Sequence, residues 1–439
     1  MSNTTWVNWG RNQRCTPASI VTPGSVDELV AAVRAAGQAG QRVKPVGAGH
    51  SFTSIAVTDG VHLQLDRLAG LVAADPSSGL VTLRAGTRLR DIPALLAPHG
   101  LAMENLGDID AQSISGAIST GTHGTGDRFG GIATQVRVLE IVLADGSVVT
   151  CSADERPELF AAARVGLGAL GVLSSVTLQC VPAFLLHAIE KPVPFEEMLG
   201  SFHERVAAHD HVEFYWFPHT DWTLYKEDTR HPADAEKRPL GKVRSYVDDE
   251  LLSNTAFGAL CRLGHHVPGV IRTVNKISAR ALGAREYQDA SHTVLASPRR
   301  VRFCEMEYAV PRDTITDVLR EVRQLIDRRG WRISFPIEIR VAAADDIWLS
   351  TASERKSAYI AVHKYFRTPH EEYFRAVEDI VGAVAGRPHW GKLHYLSAAD
   401  LASRYPRFDD FVRLRDELDP EGRFANDHLD RVLGSRVTS

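Results

Sequence analysis

The sequence predicts a protein of the α+β class with at least two domains. Its 439 residues exceed the commonest domain length by about threefold. Between residues 17 and 181, short β-rich runs alternate with helical segments and glycines separate them, which is an α+β or α/β pattern. Aromatic residues become more frequent after Pro182, and further strands and helices follow. We therefore expect a first domain that ends near this proline and a second, mixed α+β domain after it.

The first helix is predicted just after residue 25. Ser25 is a typical N-cap, and Glu28 stands three residues later, which is the spacing of a capping box. One helical face then collects four apolar residues: Leu29, Val30, Val33 and Ala36. The helix is expected to pack by this face.

Strands of the first half are indicated by β-rich runs between turn residues. They are expected at residues 43–46, 63–65, 81–85 and 172–181. The strongest signal is a hairpin, in which runs at 136–143 and 147–151 flank the turn dipeptide Asp145-Gly146.

The second half follows the same rules. Strands are expected at 301–310 and 359–363, and helices at 315–326 and 373–384. No internal repeat and no low-complexity tract is found, which disfavours solenoids and propellers.

The composition excludes several classes of protein. Hydrophobic residues make up 44% and charged residues 24%, which are ordinary globular proportions. The formal net charge is -4 and no dense cluster of Lys or Arg occurs, so nucleic acid is not an expected partner. The five cysteines are scattered, which suits a reducing compartment and leads us to expect a cytoplasmic protein. Residues 1–6 lack the pattern of an export signal, and no apolar run is long enough to span a membrane.

The first glycine-rich loop, residues 47–51, reads Gly-Ala-Gly-His-Ser and follows the strand predicted at 43–46. Its glycines allow backbone N–H groups to approach a phosphate closely and to form an anion-binding nest. The loop is not a dinucleotide fingerprint of the nicotinamide type, because Phe52 replaces the third glycine and no clear helix follows. By itself such a loop is more often a plain turn.

A second loop system strengthens the signal. Residues 105–108 and 115–126 combine many glycines with small hydroxyl side chains. Such a stretch exposes backbone donors and leaves room for a flat ring system and a diphosphate to lie against the chain. Two loops of this kind in one domain favour a nucleotide cofactor over ordinary turns.

Three segments in register resemble one family. They are residues 47–51, residues 105–126 and the sequence Arg-Pro-His-Trp-Gly-Lys at 387–392. Together they are similar to the aldonolactone oxidoreductases, which are FAD enzymes of the vanillyl-alcohol oxidase superfamily. This family includes L-gulono-1,4-lactone oxidases and dehydrogenases, D-arabinono-1,4-lactone oxidases and the related alditol oxidases. The resemblance covers essentially the whole chain.

The resemblance implies a domain organisation. Residues 1–182 would form a PCMH-type FAD-binding domain of two α+β subdomains, and residues 183–415 an α+β substrate domain, or cap. Residues 416–439, around Asn426, would return to the FAD domain.

The resemblance also implies how FAD is held. In the family, the histidine at the position of His50 is bonded covalently to the flavin 8α-methyl carbon. A neutral imidazole is a suitable nucleophile, and a flavin linked in this way has a raised redox potential. The cofactor-binding residues implied are Gly47, Ala48, Gly49, His50, Ser51, Gly107, Asp108, Ser113, Gly116, Ser119, Thr120, Gly121, His123, Gly124, Val172 and Lys392.

Gly107 occupies the family position near flavin C4a that controls the access of dioxygen. A relative with alanine there reacts slowly with oxygen, whereas glycine leaves an open path. The resemblance therefore favours an oxidase, although some actinobacterial relatives are dehydrogenases that use another acceptor.

Four residues of the second half are candidates for catalysis: Lys392, Arg340, Glu338 and His363. Glu338 and Arg340 are two residues apart on a predicted strand, so both can face one pocket, where they would bind sugar hydroxyls. Lys392 would stabilise the substrate oxygen while hydride leaves for flavin N5. His363 would hydrogen-bond the substrate or accept its proton. Trp390 and His389 are expected to pack and to support the flavin.

The expected reaction is oxidation of the C2 hydroxyl of an aldono-1,4-lactone, with O2 reduced to H2O2. Alternatives are an alditol oxidase acting on xylitol or sorbitol, a lactone dehydrogenase with another acceptor, and a non-catalytic nucleotide- or sugar-binding protein. No metal is expected, since neither His209-Asp210-His211 nor His265-His266 has a second ligand cluster. A nucleophile elbow of the G-x-S-x-G type is absent from the sequence. The choice of sugar is expected to depend on loops around Asp108 and near Ser350.

Overall fold

The computed structural model describes residues 4–241, 244, 254–281, 283–297 and 299–436. The first three residues of the predicted first domain and the last three of the predicted tail lie outside this range. The strands, in chain order, are β1 (Trp6–Val7), β2 (Arg14–Cys15), β3 (Ser19–Val21), β4 (Val43–Val46), β5 (Val61–Gln64), β6 (Leu71–Asp75), β7 (Leu80–Arg84), β8 (Leu101–Ala102), β9 (Val136–Val142), β10 (Val148–Ser152), β11 (Val172–Gln179), β12 (Val181–Pro182), β13 (Phe184–Pro194), β14 (His211–Trp216), β15 (Trp222–Pro232), β16 (Arg285–Ala290), β17 (Phe303–Pro311), β18 (Ile337–Ala342), β19 (Ser357–Tyr365) and β20 (Arg387–Pro388).

Helices occur between and after these strands in the described residues. They are α1 (Val26–Gln38), α2 (Ile92–Leu96), α3 (Ile114–Ser119), α4 (Pro157–Ala163), α5 (Phe195–Ala208), α6 (Phe257–His266), α7 (Ile271–Ala281), α8 (Ser291–Leu295), α9 (Ile315–Arg329), α10 (Glu371–Ala383), α11 (Ala398–Ala402), α12 (Phe408–Leu418) and α13 (Asp427–Leu433). None of them is both long enough and apolar enough to cross a lipid bilayer.

The first half contains two principal sheets. A 3-stranded parallel sheet has the order β3-β5-β4, and a 5-stranded antiparallel sheet has the order β10-β9-β11-β7-β6. The loop that follows β4 is the first glycine-rich loop, so the parallel sheet fixes where that loop begins. The hairpin predicted at residues 136–151 is confirmed as β9 and β10, with Gly146 at φ +76° in the turn.

The first predicted helix is confirmed, but its cap differs in one detail. Ser25 Oγ accepts from the Glu28 N–H at 3.1 Å, as expected for an N-cap. The Glu28 carboxylate accepts from the Gly24 N–H at 2.7 Å instead of from Ser25, so the box is not reciprocal. The apolar face packs as predicted, with Leu29 and Val33 fully buried.

The second half is built on an 8-stranded sheet with the order β16-β13-β15-β14-β18-β19-β17-β20. All of its pairings are antiparallel. Helices α5, α9 and α10 contribute buried side chains to a core formed with one face of this sheet. The strands and helices predicted for this half lie at these positions, and their ends differ by a few residues.

Alternation along the central strands separates the two faces of this sheet. On β18, Ile337, Ile339 and Val341 enter the core, whereas Glu338 and Arg340 face the opposite side. The other strands repeat this pattern, with Phe214 and Trp216 on β14, Ile360 and Val362 on β19, and Met306 and Tyr308 on β17 facing the core. The polar face of the sheet is thereby turned toward the loops of the first half.

The C-terminal segment packs with the first half of the chain. Asn426 Nδ2 donates to the carbonyl oxygens of Ser54, Ile55 and Val57 at 3.0, 3.1 and 2.9 Å. Trp390, Leu401 and several apolar side chains of α12 also belong to the first apolar core. The boundaries at residues 182 and 415 stay predictions, and from this packing we propose that the return begins near residue 390.

Candidate active site

A cavity of about 1130 Å³, including its part open to solvent, lies between the polar face of the large sheet and the glycine-rich loops. From the sheet it is lined by Tyr215, Glu305, Glu307, Glu338, Arg340 and His363. From the loops of the first half it is lined by His50, Ser51, Phe52, Asp108, Ile109, Gln112, Thr120, Thr122 and His123. His389, Gly391 and Lys392 complete it from the C-terminal segment. All four predicted catalytic residues therefore meet in one cavity.

Arg340 is the centre of a buried ionic network on one wall. Its Nε is 2.9 Å from Glu213 Oε2, its Nη2 is 2.5 Å from Glu338 Oε1, and its Nη1 is 3.4 Å from Asp108 Oδ1. Arg299 adds a second contact to Asp108, with Nη2 at 3.1 Å from Oδ2. The pair Glu338 and Arg340 is thus buried and cross-linked, and is not a surface pair.

Burial and charge act differently on the carboxylates of this network. Burial raises the pKa of Glu338 to about 7, and Arg340 only partly offsets this effect. Burial also tends to raise the pKa of Asp108, but the positive charges of Arg340 and Arg299 outweigh this effect and hold the Asp108 pKa well below its ordinary value. Glu338 is therefore the carboxyl group of this wall that gains a proton most easily.

Lys392 enters the cavity from the C-terminal segment and is paired with Glu305. Its Nζ donates to Glu305 Oε2, and it lies 5.3 Å from the centre of the Phe52 ring. Burial disfavours the ammonium form, but Glu305 and Glu307 outweigh burial and raise the Lys392 pKa above its ordinary value. Lys392 is therefore a cation in the cavity at neutral pH.

His363 is the neighbour of this pair. Its Nε2 is 3.4 Å from Glu305 Oε1, and its Nδ1 is 3.3 Å from the carbonyl oxygen of Pro336. Both neighbours are acceptors, and a neutral imidazole has one N–H to donate. With that N–H on the Pro336 side, Nε2 can accept from a hydroxyl group in the cavity.

Glu307 repeats the arrangement two residues along β17. Its Oε1 is 3.1 Å from His123 Nε2, and the His123 ring stacks on Tyr359 with centroids 3.6 Å apart. Burial raises the Glu307 pKa, but His123 outweighs burial and lowers it far below its ordinary value. Two neighbouring carboxylates of one strand thus each hold one basic side chain of the cavity.

An aromatic surface forms the remaining side of the cavity. Trp9 stacks on His50 with centroids 5.2 Å apart, and its ring meets the Phe303 ring edge-on at 5.1 Å. Phe303 also contacts the His363 ring edge-on at 5.0 Å. These aromatic contacts fix the planes of both histidine rings.

A second cavity of about 830 Å³ adjoins the first along the glycine-rich loops. The two cavities have four lining residues in common, namely His50, Ser51, Gln112 and Thr120. The second cavity is also lined by the predicted residues Gly47, Ala48, Gly49, Ser113, Gly116 and Ser119. The result is one elongated site that bends at His50.

His50 is neutral at this junction. Burial is the main reason that its pKa falls to about 4, and Lys392 and Arg88 lower it further. An unprotonated imidazole nitrogen at the junction of the two cavities has the form that a nucleophile requires.

Four predicted cofactor-binding residues do not line either cavity. Gly107, Gly121, Gly124 and Val172 lie behind the lining. A Cβ atom on Gly124 would lie 2.2 Å from the carbonyl oxygen of Leu106, so this glycine lets the two loop segments cross. Val172 begins β11 and pairs with Val142, whereas its neighbours Gly171 and Leu173 line the second cavity. The expectation that loops near Ser350 influence the choice of sugar stays a prediction; Ser350 itself does not line the cavity, and its hydroxyl donates to Asp345.

Sequence reasoning missed several residues of the site. They are Glu305 and Glu307 on β17, Tyr215 and Glu213 on β14, Arg299, and the aromatic residues Trp9 and Phe303. The β17 pair has a visible signal, because two glutamates at i and i+2 interrupt an otherwise apolar strand and must share a face. Arg299 and Trp9 lie far from any recognised motif and carry no such signal.

Comparison with known proteins identifies the family. The protein-family model described as D-arabinono-1,4-lactone oxidase matches residues 176–432, and the family model described as FAD binding domain matches residues 17–152. The chain is 43% identical to the L-gulono-1,4-lactone dehydrogenase of Mycobacterium tuberculosis, over 98% of this chain and 99% of that protein. The chain belongs to the aldonolactone oxidoreductase family. It is also 33% identical to the L-gulonolactone oxidase of Bos taurus, over 97% of both chains.

The fold of this aldonolactone oxidoreductase family member agrees with a solved structure. A solvent-stable cholesterol oxidase matches with a TM-score of 0.84 at 18% sequence identity, covering 98% of this chain and 97% of that one. The fold class is α+β, with a PCMH-type FAD-binding domain followed by a substrate domain, as the sequence predicted.

The residues present fit FAD, the cofactor of this aldonolactone oxidoreductase family member. Within the described residues, the backbone N–H groups of residues 48–51 make no backbone hydrogen bond, which leaves donors for a diphosphate. The second cavity is lined in part by Gly47, Ala48, Gly49, Ser113, Gly116 and Ser119, and it shares His50 with the first cavity. Among the described residues, no three His, Cys, Asp or Glu side chains are grouped to hold a metal ion.

Proposed function

We propose that this protein oxidises the C2 hydroxyl of an aldono-1,4-lactone, such as L-gulono-1,4-lactone or D-arabinono-1,4-lactone. The hydride would leave C2 for the flavin that the glycine-rich loops and His50 would hold, and the protein would take up the hydroxyl proton. With L-gulono-1,4-lactone, the ketolactone product tautomerises to ascorbate. The observation that carries this proposal is that Lys392 and His363 line the same cavity as Glu338, Arg340 and Asp108 of the Arg340 network, and that this cavity reaches His50.

The Arg340 wall supplies recognition of a polyhydroxylated ring. A guanidinium group donates in a fixed fork, and the carboxylates around it accept from hydroxyl groups. The Tyr215 hydroxyl, which donates to Glu338 Oε1 at 3.2 Å, adds a further group that can exchange partners with a sugar. A lactone ring between this wall and Lys392 would satisfy donors and acceptors on both of its sides.

Lys392 and His363 supply the chemistry at the hydroxyl group. A cation beside the hydroxyl oxygen stabilises the negative charge that develops there as hydride leaves. His363 Nε2 accepts the hydroxyl proton, and Glu305 then faces the imidazolium that forms. FAD, when bound, supplies the two-electron acceptor at N5.

We propose His50 as the covalent anchor of the flavin. Its low pKa and its place at the junction of the two cavities support attack on the 8α carbon. Such a bond would take two electrons and one proton from the methyl group and the N–H proton from the imidazole, and the electron acceptor of the reaction would take up the electrons. Trp9, stacked on the imidazole ring, would hold the ring plane during this step.

We propose O2 as the acceptor, with H2O2 as the product, on the basis of glycine at position 107. The second candidate is a dehydrogenase that uses another acceptor, and the 43% identity to an L-gulono-1,4-lactone dehydrogenase favours it. The two candidates share every residue discussed above and differ only in what reoxidises the flavin.

The experiment begins with the absorbance spectrum of purified protein before and after acid precipitation. Yellow colour in the acid pellet of the wild type and its absence from the pellet of His50→Ala would support the covalent bond. His203→Ala, which replaces an exposed histidine on α5, is the matched control and keeps the colour in the pellet. Flavin released from the wild type would reject the bond but not the reaction.

The substrate is tested next by flavin reduction without oxygen. L-gulono-1,4-lactone, D-arabinono-1,4-lactone and xylitol are compared, and reduction by xylitol alone would replace the lactone proposal with an alditol oxidase. Lys392→Met should slow reduction by about 100-fold to 1000-fold, because it removes the charge that stabilises the transition state. Lys364→Met is the control, since Lys364 is a buried lysine on β19 that does not line the cavity. Peroxide release in air, set against reduction of a dye, then separates oxidase from dehydrogenase.

A further inference from the structure

Glu305 is the side chain of the cavity that joins the two groups acting on the hydroxyl. Its residue exposure is only 5%, and its two oxygens face different partners. Oε2 accepts from Lys392 Nζ, and Oε1 lies 3.4 Å from His363 Nε2. Glu305 and His363 are also direct partners in the pairing of β17 with β19, so the backbone fixes their separation.

The main chain of Glu305 holds the Lys392 turn independently of its side chain. The Leu393 N–H donates to the Glu305 carbonyl oxygen at 2.9 Å, and the His389 N–H donates to the Glu307 carbonyl oxygen at 3.0 Å. The turn itself is closed by the Lys392 N–H, which donates to the His389 carbonyl oxygen at 2.9 Å. Placement of the turn thus rests on carbonyl groups, and the Glu305 carboxylate is left with the two functional side chains as its partners.

The charge balance around Lys392 depends on few groups. The titratable groups that face it from the elements around it are Glu305 and Glu307 on β17, His363 on β19, His389 on its own segment, and His50, Asp108 and His123 on the loops. Glu305 is the acidic group in direct contact with the ammonium, and Glu307 and Asp108 act from farther away. The Lys392 side chain is 20% exposed. Without such a partner, the burial of the rest of the side chain would lower its pKa.

We propose that Glu305 is a positioning residue, which keeps Lys392 protonated and directed into the cavity and binds the imidazolium of His363 once it holds the substrate proton. This inference rests on the proposed function for its catalytic consequence, but its electrostatic part concerns Lys392 alone. Glu305 does not contact the reacting atoms in this role. It sets the charge on Lys392 and lies beside the His363 ring.

The test uses the flavin-loaded protein and sulfite, an anion that bleaches oxidised flavin and binds more tightly when a cation is near the ring. Sulfite affinity is measured from the bleaching across the pH range in the wild type, Glu305→Gln and Glu305→Asp. The alkaline fall in affinity should move to lower pH by about 1 to 3 pH units in Glu305→Gln, because Lys392 loses its counter-charge. Glu305→Asp keeps the charge on a shorter side chain and should give an intermediate shift.

Glu378→Gln is the matched control for loss of a buried carboxylate. Glu378 accepts from the Tyr308 hydroxyl and from the Tyr395 N–H, and it lies outside the cavity. This variant should keep the wild-type pH dependence even where it lowers thermal stability. The same ordering is expected for flavin reduction by L-gulono-1,4-lactone measured without oxygen.

A wild-type pH dependence in Glu305→Gln would overturn the proposal. Where that variant does not retain flavin, a wild-type pH dependence in Glu305→Asp would overturn it instead. Failure of the proposed function is distinguishable, because a wild-type protein that binds sulfite but is not reduced by the lactone rejects the reaction and still allows the Glu305 test.

Discussion

Arg340 Nη2 lies 2.5 Å from Glu338 Oε1, and the two residues stand two positions apart on one central strand with both side chains toward the cavity. A pair at this spacing on an exposed edge strand would be a solvated ion pair that contributes little to the free energy of unfolding. Here neighbouring strands add Glu213, and a loop of the first half adds Asp108, so the guanidinium group balances three carboxylates. The proposed substrate recognition and the contact between the two halves of the chain therefore involve the same side chain.

Removal of this guanidinium group should affect both stability and binding. Arg340→Met leaves Glu213 and Glu338 buried beside fewer positive charges, so the free energy of unfolding should fall by about 3 to 5 kcal/mol. Arg340→Lys keeps the charge but not the fork, so it should lose less stability and still raise KM for the lactone. Urea denaturation and steady-state kinetics measure the two effects. Arg128→Met, which removes a side chain 71% exposed in its ion pair with Asp210, is the control and should cost about 1 kcal/mol or less.

Glu338 predicts a dependence of stability on pH. Its pKa is about 7 in the folded protein, against an ordinary value of 4.5, so the folded state holds the proton more tightly than the unfolded state. The contribution of a group with a raised pKa is complete below about 4.5 and is lost as pH rises through 7. Glu338→Gln should therefore become more stable relative to the wild type as pH rises from 5 to about 8. Denaturation of both proteins at these two pH values is the measurement, and the opposite trend would mean that the ion pair with Arg340 dominates.

Gly107 offers a direct test of oxygen reactivity. A Cβ at this position would lie 3.1 Å from the His123 carbonyl oxygen and 3.2 Å from Thr122 Cγ2, so an alanine methyl would press on the loop that carries His123. We expect Gly107→Ala to slow reoxidation of the flavin by O2 while anaerobic reduction by the lactone changes little. Rapid mixing of reduced protein with oxygenated buffer measures the first step, and mixing with lactone measures the second. Gly200→Ala on α5, where a Cβ meets nothing within 4 Å, is the matched control.

Asn426 tests the return of the C-terminal segment. Its amide donates to three carbonyl oxygens at residues 54–57, and its Oδ1 caps α13 by accepting from the Leu429 N–H at 2.9 Å. Asn426→Ala should lower the free energy of unfolding by about 2 to 4 kcal/mol. Asn426→Asp keeps the cap but loses the donors, so it separates the two contributions. The temperature at which flavin fluorescence rises on heating should follow the same order if the segment supports the loop after His50.

The sequence predicted the site where chemistry and local pattern coincide. Each glycine-rich loop is a continuous stretch of sequence, and so is the segment 387–392. The i, i+2 spacing of Glu338 and Arg340 places both side chains on one face of their strand. Their meeting in one cavity followed from the family resemblance, because no local pattern states which strands are neighbours.

The missed residues show what local patterns leave out. Glu213 and Arg299 reach the cavity through strand order and loop packing, and these are set by contacts between segments far apart in the chain. The Ser25 cap of α1 was predicted correctly, but the partner of the Glu28 carboxylate was not. Glu28 can reach either of two neighbouring N–H groups, and the backbone conformation before Ser25 decides between them. Val172 was predicted to bind the cofactor, but the residues on either side of it, Gly171 and Leu173, line the second cavity instead.

Substitutions on the two faces of the large sheet should also have different effects: those on the core face alter stability, and those on the polar face alter the lining of the cavity. Residues on the core face, such as Ile339 and Met306, determine whether the sheet assembles at all, while their immediate neighbours in sequence line the cavity. A library that varies only every second position of β14, β17, β18 and β19 would therefore sample new substrates on an unchanged scaffold. Descent from a common ancestor would use the same freedom, so relatives with one architecture and different substrates are expected to diverge in this alternating pattern.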